Sequence, residues 1–145
     1  MTSVMRRVVH ATPDQVWDVL SDGWLYPLFV VGATRMRDVD DEWPAPGARL
    51  HHSVGVWPAT VDDTTSVLEC DPPKRLKLRA RVWPAGAAEV TFELAEHPEG
   101  TEVTILEDAS HGPARFIPSL VRVPMLDWRN SETLRRFAYV AERRR

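Results

Sequence analysis

RLKLRARVWPAGAAEVTFEL, residues Arg75 to Leu94, decides the fold. Leu76, Leu78, Ala80 and Val82 alternate with Lys77, Arg79 and Arg81. Beyond Pro84-Ala85-Gly86, Val90, Phe92 and Leu94 alternate with Glu89, Thr91 and Glu93. Successive side chains on a strand point to opposite faces, so each half of the stretch has one dry face and one wet face. Two such strands joined by a short turn make an antiparallel hairpin, and one-sided alternation marks a sheet with one face in water.

The same pattern continues on both sides of the hairpin. Ala48 to Trp57 puts Leu50, His52, Val54 and Val56 on one face, and His51, Ser53, Gly55 and Trp57 on the other. Val61 to Cys70 is a further strand, ended by Asp71-Pro72-Pro73. Glu102 to Asp108 follows Glu99-Gly100 and turns Val103 and Ile105 inward. Ala33 to Asp40 is a weaker strand, and Val4 to His10 is the first in the chain. Thr12 N-caps a helix from Pro13 to Ser21, with Pro13 at its first position and Asp14 in its first turn. Val16, Trp17 and Leu20 form its apolar stripe. A second short helix runs from Trp24 to Val30 and stops at Gly32.

The dry face of the sheet needs a cover, and one element is long enough to supply it. It is the C-terminal helix, from Pro118 or Pro124 to Glu142, with Val123, Leu126, Asn130, Leu134, Phe137 and Ala141 in one stripe. Arg129, Glu132, Arg135 and Arg136 lie on its other faces. The predicted architecture is an α+β helix-grip: a curved antiparallel seven-stranded sheet wrapped around a long C-terminal helix, with two short helices after strand 1. Residues 1–145 form one domain in this reading.

With 145 residues, 43% of them hydrophobic, the chain can build its own core without a disulfide or structural metal. The single Cys70 excludes an intrachain disulfide and fits a reducing compartment. A net charge of −3 argues against nucleic acid as the main partner. Arg135, Arg136 and Arg143-Arg144-Arg145 suit the negative end of the last helix rather than a membrane tether. No apolar run follows Arg6-Arg7, and none approaches the roughly 20 residues that span a bilayer. The expected location is therefore the cytoplasm, without stable membrane insertion, as a monomer or homodimer.

Three segments carry a resemblance to a known family. They are Ala11-Thr12-Pro13-Asp14-Gln15-Val16-Trp17-Asp18-Val19-Leu20-Ser21-Asp22, Leu68-Glu69-Cys70-Asp71-Pro72-Pro73-Lys74-Arg75-Leu76, and Asn130-Ser131-Glu132-Thr133-Leu134-Arg135-Arg136-Phe137. With the element order, they resemble the START/Bet v 1-like (SRPBCC) superfamily, in its polyketide cyclase/dehydrase-like branch. The likeness covers nearly the whole chain. It implies an internal cavity, used by different members for lipids, polyketides, hormones or partner chains. Function is carried by sites rather than by folds, so no activity follows from the likeness alone.

The residues expected to line such a cavity are Phe29 of the short helix, His52, Val54, Leu78, Ala80, Phe92 and Ile105 of the strands, and Leu126, Asn130 and Leu134 of the last helix. Asn130 interrupts the apolar stripe, either to orient a ligand oxygen or to bond strand backbone or a trapped water. His52 shares the inward face, as a donor or base toward a ligand or as a core histidine bonded to a neighbour. Glu107 shares parity with Val103 and Ile105, either facing the mouth as a partner for His52 or solvated at the strand end, with Asp108 and His111 in the loop beyond. Trp24, Tyr26, Phe29, Trp57 and Trp83 form either an aromatic rim or ordinary packing, and Trp128 packs against Pro113 to Pro118.

No HExxH, CxxC, GxSxG, Walker A or GxGxxG pattern occurs. Cys70 has no activating base nearby in sequence, and Asp40-Asp41-Glu42 and Asp62-Asp63 read as solvated turns. His51 and His52 face opposite sides and make a poor chelate, so neither a metal nor a cofactor is expected. Three functions follow in order: reversible binding of a hydrophobic or aromatic small molecule, a cyclase, dehydratase or hydrolase using His52 with Glu107 or Asn130, and a partner-binding domain without a cavity.

Overall fold

The computed structural model describes residues 3–30, 33–56, 59–82, 86–111 and 119–144. In chain order the elements are β1 (Ser3–Val9), α1 (Pro13–Leu20), a 3-10 turn (Gly23–Leu25), α2 (Tyr26–Phe29), β2 (Ala33–Val39), β3 (Arg49–Val56), β4 (Ala59–Asp71), β5 (Arg75–Val82), β6 (Gly86–His97), β7 (Gly100–His111) and α3 (Ser119–Arg144). The architecture is the expected α+β helix-grip, an open curved antiparallel sheet ordered β1-β7-β6-β5-β4-β3-β2. Strands β2 to β7 follow one another as a meander. Strand β1 instead pairs with β7, so α1 and α2 carry the chain across to the opposite edge.

The Arg75–Leu94 hairpin is present, in register from Arg75 opposite Glu93 to Val82 opposite Gly86. Strands β6 and β7 run further than the apolar alternation indicates, each to 12 residues. Backbone pairing from Ala87 opposite His111 to His97 opposite Gly100 holds them beyond the buried part. Asp108 and His111 are therefore strand residues, and the loop expected there does not begin at Asp108.

Register shifts bend the sheet in β2, in β4 between Val67 and Glu69, and between Ala87 and Ala88. The β4 shift changes which residues face in. Leu68 turns outward, and Cys70 comes opposite Leu76 on the inner face, where it is half-buried. Burial and the adjacent Asp71 push the Cys70 thiol up, away from the reactive thiolate.

Helix α1 starts as its sequence indicates, with a reciprocal capping box between Thr12 and Gln15. It buries Val16, Val19 and Leu20. The carbonyl of Leu20, an orphan at the helix end, accepts from Tyr26 Oη at 2.8 Å and Trp43 Nε1 at 3.3 Å. Gly23 lies so close to β2 and β3 that a Cβ there would sit 2.4 Å from Leu50 Cδ2 and 2.9 Å from Val39 Cγ1.

Helix α3 begins before Pro124 and contains it. Its buried face comprises Asn130, Thr133, Leu134, Phe137, Ala138 and Ala141. Leu126 of the expected stripe is half-buried, and the Val123 side chain lies outside the described residues. Phe137 meets Phe29 edge-on at 5.1 Å between ring centres and Phe92 at 6.3 Å, which makes the core under the C-terminal half of α3 solid. The helix lies closest to β1 and α2. Three cations near its C-terminal end settle on its own surface: Arg135 and Arg136 bond Glu132, holding that carboxyl down at about 2, and Arg143 stacks 3.6 Å over the Tyr139 ring. Among the described residues no helix is long and apolar enough to cross a membrane.

Candidate functional site

The inner face of the sheet changes character along the strands. At one end Leu76, Leu94 and Val103 are buried under Leu134, Phe137 and Ala141. Toward the other end the inward-facing Ala80, Ala88 and Val90 are only half-buried, as is Leu126 on the helix. These strand residues adjoin one another, because Ala80 pairs with Ala88 and Leu78 pairs with Val90. Ala80 and Ala88 carry small side chains, so this part of the inner face is less buried than the end around Phe137. Phe29, Leu78, Phe92, Ile105 and Leu134, expected to line a hollow, are all buried members of the core cluster. The Val54 side chain lies outside the described residues, although its backbone pairs with Ala33 and Val61.

His52 flanks this region on the β3 side. It is 7% exposed, on the same face as Leu50 and opposite Met36 and Asp63. Its Nε2 lies 2.8 Å from Thr65 Oγ1, and Thr65 pairs with Ala80 of the half-buried wall. Nδ1 is buried and has no hydrogen-bond partner among the described residues. Burial lowers the His52 pKa, with Arg37 and His51 acting the same way against the opposing pull of Asp63. His51 points outward and bonds Asp40 at 2.9 Å, so the two histidines do separate jobs.

Glu107 flanks the region on the other side, next to Val90. It is buried rather than solvated at a strand end, because Arg129 reaches from α3 and donates to both its carboxylate oxygens. Beside it, Asn130 donates to Ser3 Oγ at 3.4 Å, and Ser3, the β1 partner of Glu107, donates to Asp127. The amide of Asn130 therefore ties α3 to β1. Sequence parity found Glu107 and Asn130 but missed Ser3, Asp127 and Arg129. The signal available was an Arg one residue from an inward Asn, long enough to lay its stem along the helix and reach the sheet.

His52 and Glu107 each bond a different partner, Thr65 and Arg129. They stand on strands four steps apart, on the order of 19 Å along the curved sheet at about 4.8 Å per step. The aromatic residues divide as well: Tyr26 and Phe29 are core, while Trp24 is largely exposed. Trp57 and Trp83 lie outside the described residues. Trp128 is largely exposed, and its expected contact, Pro113 to Pro118, lies outside them too.

No curated protein sequence matches this chain. Among solved structures, a protein of Rhodobacter sphaeroides is similar at 25% identity with a TM-score of 0.73, over 96% of this chain and 90% of that one. Ara h 8.0201 is similar at 11% identity and a TM-score of 0.73, over 97% of each chain. DynU16, a protein of the dynemicin biosynthetic locus, is similar at 21% identity and a TM-score of 0.69, over 97% of this chain and 47% of that one. The sequence pattern described as polyketide cyclase / dehydrase and lipid transport matches residues 1–142. With that match over nearly the whole length, the chain belongs to the polyketide cyclase / dehydrase and lipid transport family.

Proposed function

We propose that this chain reversibly binds a hydrophobic or aromatic small molecule between the open end of the sheet and the N-terminal half of α3. The observation that carries the reading is the half-buried apolar wall of Ala80, Ala88 and Val90, with Leu126 also half-buried on α3, in a molecule whose other end is buried around Phe137. Apolar surface of this kind gains about 25 cal/mol for each Å² removed from water, before the costs of binding are subtracted. Few polar groups border it, as small-molecule sites require. They are His52 with Thr65 on one flank, and Glu107, Arg129 and Asn130 on the other.

A cyclase, dehydratase or hydrolase working through His52 and Glu107 would need both groups within reach of one substrate atom. Their bonds to different partners favour binding over that pairing. The family match agrees with a lipid or polyketide-like ligand. The test is a titration with fatty acids, lipids and aromatic polyketides, following the fluorescence of the six tryptophans. Saturable quenching or a blue shift is expected with at least one class; a flat response to all of them removes the reading.

A further inference from the structure

The unpartnered nitrogen of His52 bears on what kind of molecule binds. The ring lies on the inner face between Met36 and Asp63, its cross-strand neighbours. Thr65 holds Nε2, which leaves Nδ1 buried without a partner among the described residues. A buried polar atom without a hydrogen bond is costly, and proteins keep few of them. Thr65 also pairs with Ala80, so the ring it holds adjoins the half-buried wall.

Three features restrict the group that would satisfy it. Burial keeps the imidazole neutral, so it offers one donor or one acceptor and no positive charge. The charged neighbours Asp63 and Arg37 are of opposite sign, so an anion here would meet no unopposed cation. The surrounding inner-face residues Met36, Leu50 and Ala80 are apolar. The Met36 side chain is half-buried and unbranched, able to move aside for an incoming group.

We propose that His52 Nδ1, with its ring oriented by Thr65, binds a single uncharged oxygen on an apolar ligand: a phenol, alcohol or ketone, not a carboxylate or phosphate. This rests on the hydrophobic-ligand reading and narrows it. The test is calorimetric titration with naphthalene, naphthol and naphthoate, for the wild type, His52→Leu and Thr65→Val. The wild type is expected to bind naphthol about five- to tenfold more tightly than naphthalene, the contribution of one hydrogen bond. His52→Leu is expected to bring that ratio to about one while keeping affinity for naphthalene, and Thr65→Val to reduce it.

Binding of naphthalene without preference for naphthol, or a preference that survives His52→Leu, overturns the His52 inference and leaves the hydrophobic site standing. Tightest binding of naphthoate overturns it too. Failure of the wild type to bind any probe overturns both. Should His52→Leu not fold, the His52 ring-nitrogen resonances of the wild type decide the matter. A shift at Nδ1 with naphthol but not with naphthalene supports the inference, and an equal response to both refutes it.

Discussion

Glu107 is buried on β7, and Arg129 comes down from α3 to meet its carboxylate. Removing one partner of a buried pair leaves the other charge uncompensated. Arg129→Met is expected to cost about 3 kcal/mol in urea unfolding, with Glu107→Gln on that background recovering most of the loss. His52 represents the opposite solution, a ring kept neutral by burial. Its folded pKa lies below the unfolded value of 6.5, so the unfolded state takes up the proton first. Its contribution is complete above pH 6.5 and declines as pH falls through the unfolded and then the folded value. Thermal unfolding followed from neutral to mildly acidic pH is expected to show a fall in midpoint, and His52→Gln to flatten it. An unchanged slope in the variant would assign the effect elsewhere.

At the level of elements, local chemistry and long-range fit can be separated by experiment. The Thr12–Gln15 box is local, and Thr12→Ala is expected to cost about 1 kcal/mol by urea unfolding without disturbing the sheet. The 3-10 turn depends on fit, because Gly23 lies against Leu50 and Val39. Gly23→Ala is expected to destabilise by roughly 1–3 kcal/mol despite the better helix propensity of alanine, because a methyl there must push both side chains aside. The register shift at Leu68 shows where pattern reading stops. Strict alternation from Val67 predicts Glu69 inward, but one extra residue in the strand turns Cys70 inward instead.

For the molecule as a whole, the proposed binding function gives a direct stability prediction. A ligand held only by the folded state stabilises it by about 2.7 kcal/mol at a free concentration of a hundred times Kd. In a chain of this size that corresponds to a rise in Tm of roughly 5–10 °C, readable by scanning calorimetry. Displacement of the same ligand should reverse it. The element order, the inward parity of His52, Glu107 and Asn130, and the cap at Thr12 were all legible in the sequence. Each depends on spacing within a few residues, where side-chain direction follows from backbone geometry alone. Only the tertiary structure decided that Arg129 pairs with Glu107, that Ser3 receives Asn130, and that Phe29, Phe92 and Phe137 meet in the core while Ala80, Ala88 and Val90 stay half-buried. Ser3 and Asn130 are 127 positions apart, and no periodicity reaches that far. Such partners are selected by how the sheet curves and where the helix comes to rest on it, which is a property of the assembled fold.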